Sequence, residues 1–170
     1  MKVKIKKTNT NAVIPYKTHN EDFCYDCVAI SEEEIAPNVW KYGLGLAFQI
    51  ERSLETIATS PTLHGGVQRD FNLKVDFNRS PIILSIDARP RSSVWKTGMV
   101  LSNCEGTIDE NYIGEVSAVF YHLMPNMPRY KVGDRVCQIK LGLTLPMEFE
   151  EVKELNETTR GNGGYGSTGR

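Results

Sequence analysis

A single, mainly β domain is predicted by two features of this sequence: β-branched and aromatic residues recur in short runs, and Gly, Pro, Asn, Asp or Ser bounds each run. The runs are Phe23 to Ile30, Trp40 to Ile50, Phe71 to Phe77, Ile82 to Asp87, Val116 to Leu123 and the stretch through Gln138 and Ile139. A third feature sets the domain count. A chain of 170 residues, 40% of them hydrophobic, buries one full core. The formal net charge of -1 gives no support to a general nucleic-acid or membrane-surface binder, so an anionic ligand would need a local cluster of basic groups. No fixed-period repeat is present.

Taken in order, Met1 to Lys7 alternates Lys with Val and Ile and lacks the apolar run of a signal peptide or membrane span, so a cytoplasmic protein is expected. Cys24 and Cys27 form a C-x-x-C pair, but Cys104 and Cys137 are isolated and no second pair completes a zinc set, although His19 lies near. Reduced thiols filling strand positions are the expectation. The strands Phe23 to Ile30 and Trp40 to Ile50 are expected to flank an acidic turn at Ser31 to Glu34 and Pro37. Within the first of them, the carboxylate of Asp26 interrupts an otherwise aromatic and apolar run, so it must face solvent, a partner or a metal-bound water. Residues 51 to 80 are polar and punctuated by Ser60-Pro61, His64-Gly65-Gly66 and Asn78-Arg79-Ser80-Pro81. Arg52 to Thr59 reads as a short helix and Phe71 to Phe77 as an exposed strand, the whole being an insertion or a long hairpin. His64 reads as a loop residue.

Beyond Pro81 the β pattern returns, then meets Arg89-Pro90-Arg91-Ser92-Ser93 ahead of a short helix at Val94 to Lys96. Two guanidiniums and two hydroxyls in five residues make a phosphate clamp, because Arg offers forked donors and Ser adds hydroxyl donors. Asn103 leads into Gly106 to Val116, read as the turn and return of a β-hairpin. In it Asp109 and Tyr112 are expected to face one small pocket, the carboxylate for a water and the ring for a sugar or base. Tyr130 to Ile139 reads as a turn into a strand, with Gln138 able to donate to an anion. Arg160 to Gly169 has almost nothing to bury, so it should order only around a ligand. Its glycine N–H groups, Ser167, Thr168 and Arg160 suit phosphate, and Tyr165 suits stacking on a base. A β domain over 1–155 and a flexible arm over 156–170 follow. Turn chemistry or a disordered tail would account for each stretch taken alone.

Together, Tyr25-Asp26, Arg91-Ser92-Ser93, Gly106-Thr107-Ile108-Asp109 with Tyr112 and Gly114-Glu115, Gly133-Asp134-Arg135 with Gln138, and Arg160 through Gly169 resemble the five ordered motifs of the trimeric deoxyuridine triphosphatases (dUTPases). The resemblance implies a jelly-roll-like β-clip subunit and a homotrimer whose shared active sites are closed by the carboxyl-terminal arm. It implies hydrolysis of dUTP to dUMP and pyrophosphate with Mg2+, an activity that keeps uracil out of DNA and supplies dUMP for thymidylate synthesis. Carried over residue by residue, Asp109 would orient and deprotonate the water that attacks the α-phosphorus, and Arg91 would assist at the phosphates. Asp26 would hold Mg2+ through water. Arg91, Ser92, Ser93, Gln138, Arg160, Gly166, Ser167 and Thr168 would grip the triphosphate. Main-chain groups of Gly106, Thr107 and Ile108, with Asn103, would read the uracil edge, Tyr112 would lie on the deoxyribose, and Tyr165 would cover the base.

The chain departs from the family pattern in five places. Asp22-Phe23-Cys24 replaces the usual Ala-Ala-Gly, Ser93 replaces Gly, Asn111 replaces Asp, Ile113 replaces Arg and Tyr165 replaces Phe. The stretch 51–80 is also longer than the usual connection. Two alternatives stay open. A dCTP deaminase shares Arg-Ser-Ser but needs a catalytic Glu on the strand after the hairpin, where Val119-Phe120-Tyr121 offers none. A non-catalytic nucleotide-binding or regulatory protein on the same scaffold would use 51–80 as its interaction surface, although Asp26, Asp109 and the arm are intact. Neither nucleic acid nor membrane is expected as a partner.

Overall fold

Side chains that alternate across each strand decide which face is buried, and two long strands show how far that rule organises this chain. The computed structural model describes residues 1–59 and 71–163. In β8 (Ile83–Pro90), numbered in chain order, Leu84, Ile86 and Ala88 are buried while Ser85, Asp87 and Arg89 occupy the opposite face. Along β12 (Arg135–Thr144), Cys137 and Ile139 face the core and Gln138 and Lys140 face away. The two strands pair antiparallel from Cys137 opposite Pro90 to Thr144 opposite Ile83.

These strands form the centre of a four-stranded sheet in the order β10-β8-β12-β2, with β10 (Gly106–Asp109) and β2 (Tyr25–Val28) at its edges. A second sheet has the order β3-β4-β11-β9, from β3 (Ser31–Ala36), β4 (Val39–Gly43), β11 (Ser117–His122) and β9 (Met99–Leu101). Two strand pairs complete the described fold: β1 (Lys2–Lys7) on β5 (Leu46–Glu51), and β6 (Leu54–Thr59) on β7 (Phe71–Asp76). A 3-10 helix spans Ser92–Thr97, where the sequence predicts a short helix. Among the described residues no helix is long and apolar enough to cross a membrane.

The core gathers around three rings. Tyr42, Phe120 and Tyr130 meet edge to face with centroids 5.5 to 6.1 Å apart, and the Tyr42 hydroxyl donates to the Tyr130 carbonyl at 2.9 Å. Burial pushes the Tyr130 phenol up to about 12. Leu44, Leu46, Leu84, Val136, Cys27 and Cys137 complete the fully buried set. Cys27 and Cys137 are register partners, and the Cys27 thiol is pushed well up by its hydrogen bond to Cys137 and by burial. Only these two thiols fill strand positions as expected. Cys24 precedes β2, and Cys104 is exposed in a turn with φ 58°.

Three expectations are corrected. Ser31 to Glu34 is the start of β3 and not a turn, because its acidic side chains lie on an edge strand where they face water or pair with cations. Glu32 is hydrogen-bonded by Arg129, whose guanidinium sits 3.5 Å from the Trp40 ring centroid. The reversal comes instead at Asn38, with φ 59° and its N–H on the Glu34 carboxylate at 3.0 Å. Arg52 to Thr59 is not helical. Leu54 to Thr59 pair with Phe71 to Asp76, so distant pairing overrides the local helical preference and the long-hairpin reading holds. Finally, Gly106 to Val116 does not fold back as a hairpin. β10 pairs with β8 while β11 pairs with β4 and β9, so this stretch carries the chain from one sheet to the other. Val116 draws it across: the residue is buried, its N–H bonds the Leu46 carbonyl at 2.8 Å, and its carbonyl accepts from Leu44 at 3.1 Å.

Truncating the ring at the centre of this core tests its weight. Phe120→Ala should destabilise the protein by about 3–5 kcal/mol in urea unfolding, the range for a large ring removed from a close-packed core. A loss below about 1 kcal/mol would place the stability elsewhere.

Candidate active site

Asp26 on β2, Gln138 on β12 and Arg89 on β8 stand opposite one another in register, so three adjacent strands present them in one row on the sheet face away from the core. All three line a cavity of about 460 Å³ together with Arg91, which continues the same face two residues beyond Arg89. Thr18 and Asp22-Phe23-Cys24 form its other wall. The departure at Asp22-Phe23-Cys24 is accommodated by a tight turn. Asp22 accepts the His19 N–H at 2.9 Å and returns its own N–H to the His19 carbonyl at 3.1 Å, leaving Phe23 outside and 78% exposed.

Two guanidiniums converge on Asp26. Arg91 donates through Nε at 2.8 Å and Nη2 at 3.3 Å, and Arg135 donates through Nη1 at 3.0 Å. The carboxylate is only 13% exposed, so it needs such partners. Arg135 also reaches the Thr18 hydroxyl at 3.2 Å, and Arg91 reaches Ser93 Oγ at 3.4 Å. Gln138 donates to the Pro90 carbonyl at 3.2 Å. Arg89 pairs with Glu105, which carries the charge row to the sheet edge beside β10. Arg135 and Thr18 carry no role in the sequence reading, because the approach of Arg135 to Asp26 and to the Thr18 hydroxyl accompanies a bulge in the pairing of β12 with β2.

Asp109 lies elsewhere on the chain. It ends β10 opposite Ser85, four residues along β8 from Arg89, or roughly 13 Å at the usual strand rise. It lines a second cavity of about 760 Å³ with Arg52, Glu110 and Ile113. Tyr112 does not join it there, contrary to expectation. The Tyr112 hydroxyl turns back to donate to the Glu115 carbonyl at 3.0 Å, and the ring occupies the space above Gly114. A Cβ on Gly114 would stand 2.5 Å from that hydroxyl oxygen. The Asn103 amide lies beside Gly106, 3.2 Å from where a Cβ would be. Thr107 is exposed and Ile108 packs against the core, while Ser92 and Ser93 open the 3-10 helix. Arg160 is exposed and donates to the Gly163 carbonyl at 2.8 Å. Tyr165, Gly166, Ser167, Thr168 and His64 lie outside the described residues.

One chain therefore unites Asp26, Arg91 and Gln138, sets Asn103 beside Gly106, and holds Asp109 apart. Among the described residues no three His, Cys, Asp or Glu side chains cluster as a metal cage.

A family model described as dUTPase matches residues 66–169, more than half of the chain. The chain belongs to the dUTPase family. The deoxyuridine 5'-triphosphate nucleotidohydrolase of Clostridium novyi (strain NT) is 32% identical, the match covering 99% of each chain. That of Nautilia profundicola is also 32% identical, over the full length of both. Among solved structures, the Staphylococcus bacteriophage 80alpha dUTPase with dUpNHpp superposes with a TM-score of 0.65 at 19% identity, over 99% of each chain. A point variant of the dUTPase from phage phi11 of S. aureus, in which a structural Mg(II) ion is coordinated, gives a TM-score of 0.60 at 15% identity, over 92% of this chain and 100% of that one. The fold described above is the mainly β, antiparallel fold of the dUTPases.

The Asp26 junction has a measurable weight. Asp26→Asn should lower stability in urea unfolding by about 1.5–3 kcal/mol, since charge-assisted hydrogen bonds from both Arg91 and Arg135 lose their anion. A loss below about 0.5 kcal/mol would mean that the guanidiniums find equivalent partners.

Proposed function

We infer that this chain hydrolyses dUTP to dUMP and pyrophosphate. The observation that carries the reading is the convergence of Asp26, Arg91 and Gln138, from three separate segments, on one cavity of a chain in the dUTPase family. In that reading Arg91, Ser92, Ser93 and Gln138 bind the triphosphate, joined by Arg160, Gly166, Ser167 and Thr168 from an arm over 156–170. An incoming phosphate competes with Asp26 for the Arg91 fork, so the ion pair keeps the guanidinium aligned until substrate takes it.

Asp109 orients a water and accepts its proton as the water oxygen bonds to the α-phosphorus. The bond from that phosphorus to the bridging oxygen breaks, and pyrophosphate leaves. Placement of the water carries much of the effect, as for any weakly basic carboxylate. Asn103 and the main chain of Gly106 to Ile108 read the uracil edge, where cytosine would set a donor against a donor. Tyr112 lies against the deoxyribose and Tyr165 covers the base, a stack worth about 1–3 kcal/mol.

The residues fit Mg2+ bound largely by water and phosphate. Asp26 and Asp22 both bring hard carboxylate oxygens to the cavity, Asp22 already accepting the His19 N–H, and Mg2+ is commonly held by one or two carboxylates plus substrate phosphates. Asp26 would hold the ion through its water shell. When bound, Mg2+ supplies charge neutralisation on the triphosphate.

A homotrimer completes the proposal. Asp109 and the Asp26 cavity stand apart on one chain, so a site that uses both draws them from different subunits. Exposed Leu145, Met147, Phe149 and Leu155 near the carboxyl terminus supply apolar surface for such assembly. The paired strands β6 and β7, within the longer 51–80 connection, would form an added hairpin on that assembly. A reducing compartment such as the cytoplasm suits the four free thiols.

Pyrophosphate release should be seen with dUTP and not with dCTP, dTTP or UTP, and a chelator should abolish it; release without metal, or from dCTP alone, would overturn the assignment. Reaction in 18O-labelled water should place the label in dUMP and none in pyrophosphate. Asp109→Asn should bind dUpNHpp yet turn over dUTP about 10²–10⁴-fold more slowly, the usual contribution of a positioned base. Deleting 160–170 should leave a folded protein with little activity, and full activity would remove the arm from the site.

A further inference from the structure

We propose that Arg52 and Glu110 are the positioning pair that aims Asp109 at its water, an inference that rests on the role given above to Asp109. The pairing of β10 with β8 ends at Asp109, so the sheet ladder gives no direction to the chain beyond it. The next residue does. Glu110 accepts Arg52 Nε at 2.6 Å on one oxygen and Arg52 Nη2 at 2.7 Å on the other, a forked pairing that fixes orientation as well as distance.

The rest of the guanidinium is anchored to main chain. Nη1 donates to the carbonyls of Phe77 at 2.7 Å and Ser80 at 3.4 Å, and Nη2 donates to that of Ile82 at 3.1 Å. All five N–H donors of an arginine are then committed. Arg52 and Glu110 side chains are 28% and 24% exposed, so water competes weakly for the pair. Arg52 holds the Glu110 carboxyl below its ordinary range, and the Leu84 N–H on β8 adds to the effect. Arg52 thereby ties the exit of the β6–β7 hairpin and the entry to β8 to the residue that follows Asp109.

This commitment defines the kind of role. Arg52 has no donor left over for substrate and both Glu110 oxygens are engaged by it, yet the two line the same cavity as Asp109. Without the pair, what holds the residues after Asp109 is the Leu84 N–H on Glu110 and the local bonds of Tyr112, from its N–H to the Asp109 carbonyl and from its hydroxyl to the Glu115 carbonyl, both at 3.0 Å. Asp109 acts on the water and the Asp26 cavity holds the phosphates, so losing the pair should slow turnover without weakening substrate binding.

The test compares dUTP turnover and dUpNHpp binding for wild type, Arg52→Gln, Arg52→Lys, Glu110→Gln and the double variant, with Arg52→Gln also placed in an Asp109→Asn background. Urea titration fixes the folded fraction of each. We expect kcat to fall about 10- to 100-fold in Arg52→Gln and Glu110→Gln while dUpNHpp affinity changes less than about threefold, as for a misplaced catalytic group. Arg52→Lys should recover little, because an ammonium cannot make the fork. The double variant should be no slower than either single change, and Arg52→Gln should not slow Asp109→Asn further. Should Arg52→Gln fail to fold, Glu110→Gln carries the same expectation with its shape preserved. An unchanged kcat, equal losses in kcat and dUpNHpp affinity, or extra slowing in the Asp109→Asn background would overturn the proposal while leaving the hydrolase reading in place. A wild type without dUTP turnover would overturn both.

Discussion

The register of β8 against β12 is the constraint on which the other features depend. With Gln138 opposite Arg89, every second pair turns the same way, so Ile86 and Ile139 enter the core while Asp87 and Lys140, which are hydrogen-bonded to each other, stay on the polar face. A slip of one residue would exchange the faces, burying a row of charges and exposing a row of apolar side chains. One irregularity is built in. The bulge between Arg135 and Cys137 lets Val136 and Cys137 both be buried and leaves Arg135 directed at Asp26. Core and anion cavity are two sides of one pairing decision.

As the proposed triphosphate site, that cavity would also reconcile a chain of net charge -1 with a polyanionic substrate. Its cations are paired with carboxylates, Arg89 with Glu105 and both Arg91 and Arg135 with Asp26, so each guanidinium already has an anionic partner although the two at Asp26 share a single charge. A phosphate that enters exchanges one anionic partner for another. The exchange costs less than gathering bare like charges would, and it limits nonspecific binding of other anions.

Much of this was legible in the sequence, where the information is local. Asp26 is conspicuous inside an apolar run and Arg91 sits in a dense cluster of donors, and the fold brings both to one cavity. The short helix after Ser93 and the strand nature of the main runs are equally local. What failed was long-range. Ser31 to Glu34 looks like a turn until β4 supplies its partner strand, and Gly106 to Val116 looks like a hairpin until Val116 is seen bonded to Leu44 and Leu46. Arg52 carried no signal at all, because its acceptors at Phe77, Ser80, Ile82 and Glu110 are brought to it only by the fold.

Gly114 and Tyr112 share one volume: the phenol occupies the place where any side chain at position 114 would begin. Natural variation at the two sites is therefore coupled in one direction. A lineage that loses the ring is free to drift away from glycine, whereas one that gains a side chain at 114 first must already have moved the ring. Across relatives, an intact Tyr at 112 with a non-glycine at 114 should be a rare combination, and where it occurs the turn between the two sheets should follow a different path.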